Sequence, residues 1–242
     1  MASRIQVCGR VVAEIDSRRL EDALPGRQGR LLFVYLVVNR LRAASRDELV
    51  DAVWPDAPPS NVDSSLSALL SKVRRLVPIE GRGEVRVVLG ADAWVDLEAA
   101  AEALHRAESA IARSSWTEAW GPARVTQHVT ARGFLAGESA PWIEELRRRL
   151  EDMQLRALEL VGRASIEIGG TELDTAERSA RTLVDKAPYR ESGHRLLMEV
   201  LGRRDNRAEA LHVYETLRRL LRDELGVVPS AATQDVHRRL LG

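Results

Sequence analysis

Three prolines do most to limit how this chain folds. Pro55, Pro58 and Pro59 stand between two segments with helical periodicity. Proline lacks the backbone donor and its ring clashes with the preceding turn, so no single helix runs through them. On the N-terminal side, Ser45-Arg46-Asp47-Glu48 reads as a capping box, with a serine N-cap and a glutamate three residues on. Leu49, Val50 and Val53 follow at helical spacing, and this helix must stop near Trp54. On the other side, Ser60–Leu76 reads as a longer amphipathic helix capped by Ser60 or Asn61. Leu66, Leu69, Leu70, Val73 and Leu76 recur on one face. Ser64, Ser67, Ala68, Ser71, Lys72 and Arg75 remain on the other. A short capped helix, a tight proline turn and a longer helix outline a helix-turn-helix.

The second helix admits two readings when taken alone. Its small, polar face with a basic end suits close approach to the DNA major groove. It also suits a surface helix whose cations complement its own C-terminal dipole. The neighbours favour the first. Pro78 ends the helix, Gly81-Arg82-Gly83 forms a turn, and Glu84–Leu89 is strand-like, so a hairpin follows the helix-turn-helix as in a winged helix. Upstream, residues 4–15 carry β-branched residues around Gly9 and read as a hairpin or two short strands. Leu24-Pro25-Gly26 is a turn, and the dense apolar run over 27–39 reads as a buried helix, with a strand as the alternative.

Charge excludes one route to nucleic acid. The 242 residues hold 36 basic and 36 acidic side chains, so bulk charge attracts no polyanion and any such binding needs a local patch. Aromatics make up only 4% while Ala, Leu and Val abound, which favours helix-on-helix packing. The lone cysteine, Cys8, excludes an internal disulfide and a cysteine-rich zinc site. The five histidines are scattered, and neither a Gly-rich phosphate loop nor a Gly-x-Ser-x-Gly motif is present. The expectations are therefore no catalytic residues, no metal, no cofactor and no enzyme. Apolar stretches of 18 residues and a signal-peptide core are both lacking, so the chain is expected to be cytoplasmic, away from the membrane.

From Asp96 on, alanine-rich helices follow one another to the end, with spans expected at 97–112, 117–129, 139–168, 172–186, 190–204, 207–225 and 230–241. The expected domains are residues 1–95 and 96–242. Ala176 and Ala210, Ala180 and Tyr214, and Leu183 and Leu217 each lie 34 residues apart, the tetratricopeptide spacing. Trp94, Trp116, Trp120 and Trp142 read as interhelical anchors. Trp116 and Trp120 share a helix face and also fit a partner surface.

A winged helix followed by such repeats resembles the bacterial transcriptional activator domain proteins, including the Streptomyces antibiotic regulatory protein type. The first module looks like the winged helix of OmpR-type response regulators. The resemblance rests on LPGRQGRLLFVYL (24–36), SRDELVDAVWPDAPPSNVDSSLSALLSKVRRL (45–76), WVDLEAA (94–100), PWIEELRRRLEDM (141–153), APYRESGHRLLMEVL (187–201) and AEALHVYETLRRLLRDELGVVPSAATQDVHRRLLG (208–242). It implies a mainly α protein: a winged helix-turn-helix with a small β-sheet and wing, then an all-α tetratricopeptide-like domain. It further implies a transcription regulator that binds direct repeats in double-stranded promoter DNA as a homodimer and contacts RNA polymerase. The family's recognition helix falls on Asn61–Leu76, its groove-facing positions on Ser64, Ser65, Ser67, Ala68 and Leu69, and its wing on Pro78–Leu89.

The candidate DNA-binding residues are Arg46, Asn61, Ser64, Ser67, Ala68, Ser71, Lys72, Arg74, Arg75 and Arg82. Lys72, Arg74 and Arg75 cluster at the helix end, with phosphates and a guanine edge as their targets. Arg46 begins the preceding helix, where such modules meet the backbone. Arg82 lies between two glycines at the wing. A different class stays open beside this reading. The chain also fits a protein-interaction scaffold, or an effector-binding regulator, whose winged helix reads DNA weakly or not at all. Neutralisation of the cations by Asp63, Glu80 and Glu84 would favour that alternative.

Overall fold

The computed structural model describes residues 3–242. They form two compact units: residues 3–99 with 132–150, and residues 100–131 with 151–242.

The first unit begins with β1 (Arg4–Gln6), β2 (Val12–Ile15) and β3 (Arg18–Arg19). Asp16 and Ser17 both take positive φ, at 50° and 64°, which is the turn that lets a two-residue loop follow the strand twist. Then come α1 (Gly26–Val38), β4 (Ala44–Ser45), α2 (Arg46–Val53), α3 (Val62–Arg74), β5 (Ile79–Glu80), β6 (Glu84–Val87) and β7 (Trp94–Val95). One sheet has the order β3-β2-β1-β7, with β1 antiparallel to β2 and parallel to β7. The other has the order β4-β6-β5. The apolar run expected over 27–39 is the helix α1, and Leu31 to Val37 are all buried. Helices α2 and α3 pack on it. The expected capping box is formed: Glu48 N–H donates to Ser45 Oγ at 3.2 Å, and Ser45 N–H donates to the Glu48 carboxylate at 2.8 Å. That second bond, foremost, holds the Glu48 carboxyl below its ordinary range. The result is a winged helix-turn-helix.

Residues 132–150 also belong to this compact unit. The cause is long-range packing that no local pattern reveals. Trp142 meets Tyr35 edge-on with ring centres 5.2 Å apart, meets Phe134 at 5.9 Å, and donates Nε1–H to Ala52 O at 3.1 Å. The Arg147 guanidinium donates to the carbonyls of Phe134, Leu135 and Glu138. Asp96, fully buried, accepts the Val7 N–H at 2.9 Å and the Cys8 N–H at 3.1 Å, with the Arg132 guanidinium 3.9 Å away. Burial raises the Asp96 carboxyl above its usual value against the pull of these donors. Burial and then the Asp96 charge push the Cys8 thiol up to about 12, which makes it an inert packed side chain. Trp94 is a correction. It lies in β7 rather than between helices, with Arg4 stacked on its exposed ring at 4.9 Å.

The second unit is helical: α4 (Asp96–Ala112) from Ala100 on, α5 (Trp116–Thr130), α6 (Pro141–Ile168) from Glu151 on, α7 (Leu173–Lys186), α8 (Glu191–Arg203), α9 (Arg207–Leu225) and α10 (Ala231–Leu241). Alanine brings α4, α5 and α6 close, through Ala107, Ala123 and Val161 in one cluster and Ala110, Ala119 and Ala164 in another. Trp116 and Trp120 are partly buried against this unit's own groups. Trp120 donates Nε1–H to Ser165 Oγ at 3.1 Å, and Arg124 and Arg163 lie over the two rings. The 34-residue pairs occupy equivalent core positions in α7 and α9, all buried. This is the tetratricopeptide-like pattern of stacked helix pairs. Among the described residues no helix is long and apolar enough to cross a membrane.

The Asp96 carboxylate gives a direct test of the first unit. Asp96→Ala strands two buried N–H groups and is expected to lower its stability by about 3 kcal/mol, read by chemical denaturation. Asp96→Asn, which keeps an acceptor, is expected to lower it less.

Candidate nucleic-acid interface

The exposed face of α3 follows from its buried one. Leu66, Leu69, Leu70 and Val73 are buried, and helical geometry then turns Ser64, Ser67, Ala68, Ser71 and Lys72 outward. Leu69, assigned by resemblance to the groove-facing set, belongs to the core at 8% exposure. Ser65 is half-buried. The helix starts at Val62 because Asn61 caps it: Asn61 Oδ1 accepts the Ser64 N–H at 3.0 Å. Asn61 itself is exposed at the helix start.

The cations divide into two kinds. Lys72, Arg75 and Arg82 are exposed, and none of their side chains makes a hydrogen bond or ion pair among the described residues. Lys72 is in the last turn of α3, Arg75 is its C-cap, and Arg82 is at the wing tip. Arg46 and Arg74 are tied down. The Arg46 guanidinium donates to Asp63 O at 3.2 Å and to Ser67 Oγ at 3.0 Å, with the Asp63 carboxylate at 3.7 Å. Arg74 donates to Gly81 O, which joins the end of α3 to the wing turn.

The wing is the β5–β6 hairpin, with Ile79 opposite Val87 and Glu80 opposite Arg86. Val85 and Val87 are buried while Glu84 and Arg86 face out. Arg86 is a further cation of this surface that the sequence reading passed over, although the alternation of EVRV marks it. It pairs with Glu80 at 3.1 Å. The nearby carboxylates Asp63 and Glu80 thus have partners in Arg46 and Arg86, and neither pairs with Lys72, Arg75 or Arg82. Arg46, Lys72, Arg74, Arg75, Arg82 and Arg86 against Asp63, Glu80 and Glu84 leave a local excess of three positive charges in a chain that is neutral overall. Within the described residues, no cluster of three or more His, Cys, Asp or Glu side chains is arranged to hold a metal.

Gly81 sets the shape of the wing tip. Its φ is +88°, and a Cβ there would lie 1.8 Å from Glu84 O. Gly81→Ala is expected to cost about 2 kcal/mol and to speed amide exchange across residues 79–87 before the rest of the unit. Unchanged protection there would refute the assignment of this turn.

Comparison with known proteins finds relatives that are named as regulators. A family model described as bacterial transcriptional activator domain matches residues 95–241. The Regulatory protein AfsR of Streptomyces coelicolor is 32% identical over 99% of this chain and 24% of its own length. AfsR of Streptomyces griseus is 31% identical with the same coverage. The Transcriptional regulator RedD of Streptomyces coelicolor is 28% identical over 94% of this chain and 67% of its own length. The chain therefore spans about a quarter of the first two relatives. Among solved structures, Mycobacterium tuberculosis EmbR, in complex with a low affinity phosphopeptide, superposes with a TM-score of 0.85 at 20% identity, over 99% of this chain and 65% of that one. This last likeness concerns the fold.

Proposed function

The chain belongs to the bacterial transcriptional activator domain family, and on that premise we propose that it is a DNA-binding regulator of transcription. One observation carries the reading: Lys72, Arg75 and Arg82 lie exposed and unpaired among the described residues, beside the small polar face of α3. A solvated surface helix needs no such separation, whereas a DNA-binding module keeps its phosphate-binding cations free. In this reading residues 1–95 bind DNA. Helix α3 enters the major groove with Ser64, Ser67, Ala68 and Ser71 toward the bases and Asn61 at its mouth. Lys72, Arg75 and Arg82 hold phosphates on either side, and Arg74 sets the wing against the helix.

Residues 96–242 then supply the activator function. Dimerisation on direct repeats, contact with RNA polymerase and a cytoplasmic location complete the proposal. Asp63 and Glu80 pair with other arginines and Glu84 pairs with no cation among the described residues, which weighs against the scaffold alternative, in which these three carboxylates neutralise the free cations.

Replacing Lys72 and Arg75 together by Ala tests the placement of the DNA face. Affinity in gel-shift titrations is expected to fall about tenfold or more on every DNA sequence alike, because the lost contacts are electrostatic. Undiminished binding by the double variant would overturn the placement.

A further inference from the structure

A serine-lined recognition face poses a chemical problem. A hydroxyl both donates and accepts, so it meets any base edge and discriminates poorly. In a helix, moreover, a serine or threonine hydroxyl commonly turns back and donates to the carbonyl four residues earlier. Threonines elsewhere in this chain do so: Thr130 Oγ1 donates to Thr126 O, and Thr182 Oγ1 donates to Arg178 O, both at 2.8 Å. The corresponding acceptor for Ser67 is Asp63 O. That carbonyl instead receives the Arg46 guanidinium at 3.2 Å, and the same Nη2 donates to Ser67 Oγ at 3.0 Å. Arg46 thus occupies the usual destination of the hydroxyl proton and at the same time takes up a lone pair of the oxygen. Among the described residues the Ser67 hydroxyl makes no other hydrogen bond, and its side chain is exposed.

We propose that Arg46 converts the Ser67 hydroxyl into an outward donor, and that the pair selects guanine in the groove. Three points lead to guanine. The O–H has lost its intrahelical acceptor and faces out. The adjacent guanidinium makes the oxygen a poor acceptor, which disfavours the amino groups of cytosine and adenine. The remaining N–H groups of Arg46 lie beside the hydroxyl, so the pair offers neighbouring donors, and guanine alone presents two neighbouring acceptors, N7 and O6, in the major groove. Arg46 is therefore a positioning residue for Ser67 as well as a cation of this surface. This inference rests on the DNA-binding reading above.

The test is selection of bound fragments from random duplex DNA by the full chain and four variants. The wild type is expected to enrich one position in guanine. Ser67→Ala is expected to reduce discrimination at that position about three- to tenfold, the worth of one hydrogen bond. Arg46→Ala is expected to lose preference at the same position, because the hydroxyl falls back onto Asp63 O. Ser67→Thr, which keeps the hydroxyl, is expected to retain it. The double change of Lys72 and Arg75 to Ala is expected to weaken every fragment while the guanine preference persists. The inference is overturned if Ser67→Ala or Arg46→Ala keeps the wild-type base profile, or if Ser67→Thr loses it. Failure of the wild type to enrich or retain any fragment overturns the DNA-binding reading itself, and this inference with it.

Discussion

The first unit depends on one constraint: α3 can bury only one face. Leu66, Leu69, Leu70 and Val73 are withdrawn from water beside α1. Each is worth about 2 kcal/mol relative to exposure, far more than any polar preference on the opposite side. With 3.6 residues per turn, burying these four fixes the rotation of the helix about its axis. Ser64, Ser67, Ala68 and Ser71 are then presented without needing contacts of their own. Such a face is small because nothing on it has to fill a core, and small side chains let the helix backbone come close to a partner.

Around that helix the cations are sorted by what they already touch. Arg46 and Arg74 each make contacts inside the unit, the first through one nitrogen across the helix-turn-helix and the second onto the wing turn. Lys72, Arg75 and Arg82 are exposed, and their side chains make no hydrogen bond or ion pair among the described residues. In this neutral chain most of the 36 basic residues are paired, such as Arg181 with Glu177 and Glu209, or Arg163 with Glu199. Exposed pairs of that kind add little stability.

Much of this was legible in the sequence. The prolines and the Ser45–Glu48 box located both helices of the motif, and the 34-residue spacing located the paired positions in α7 and α9. The expected helical spans after Asp96 differ from the observed ones by a residue or two at their ends. Other features were not legible, for physical reasons. Strands β3, β4 and β7 have two residues each, too few for a period of two to register. The packing of Trp142 on Tyr35 and Ala52 joins residues about a hundred positions apart. The bridge from Arg46 to Ser67 is a matter of side-chain direction across two helices, which spacing within either one cannot reveal.

The salt dependence of DNA affinity tests the central claim most directly. If Lys72, Arg75 and Arg82 neutralise phosphates, about three counterions are released per bound chain, and log Kobs should fall against log salt with a slope near −3. A slope indistinguishable from zero on a bound fragment would contradict the account, because these free cations would then have no part in holding DNA.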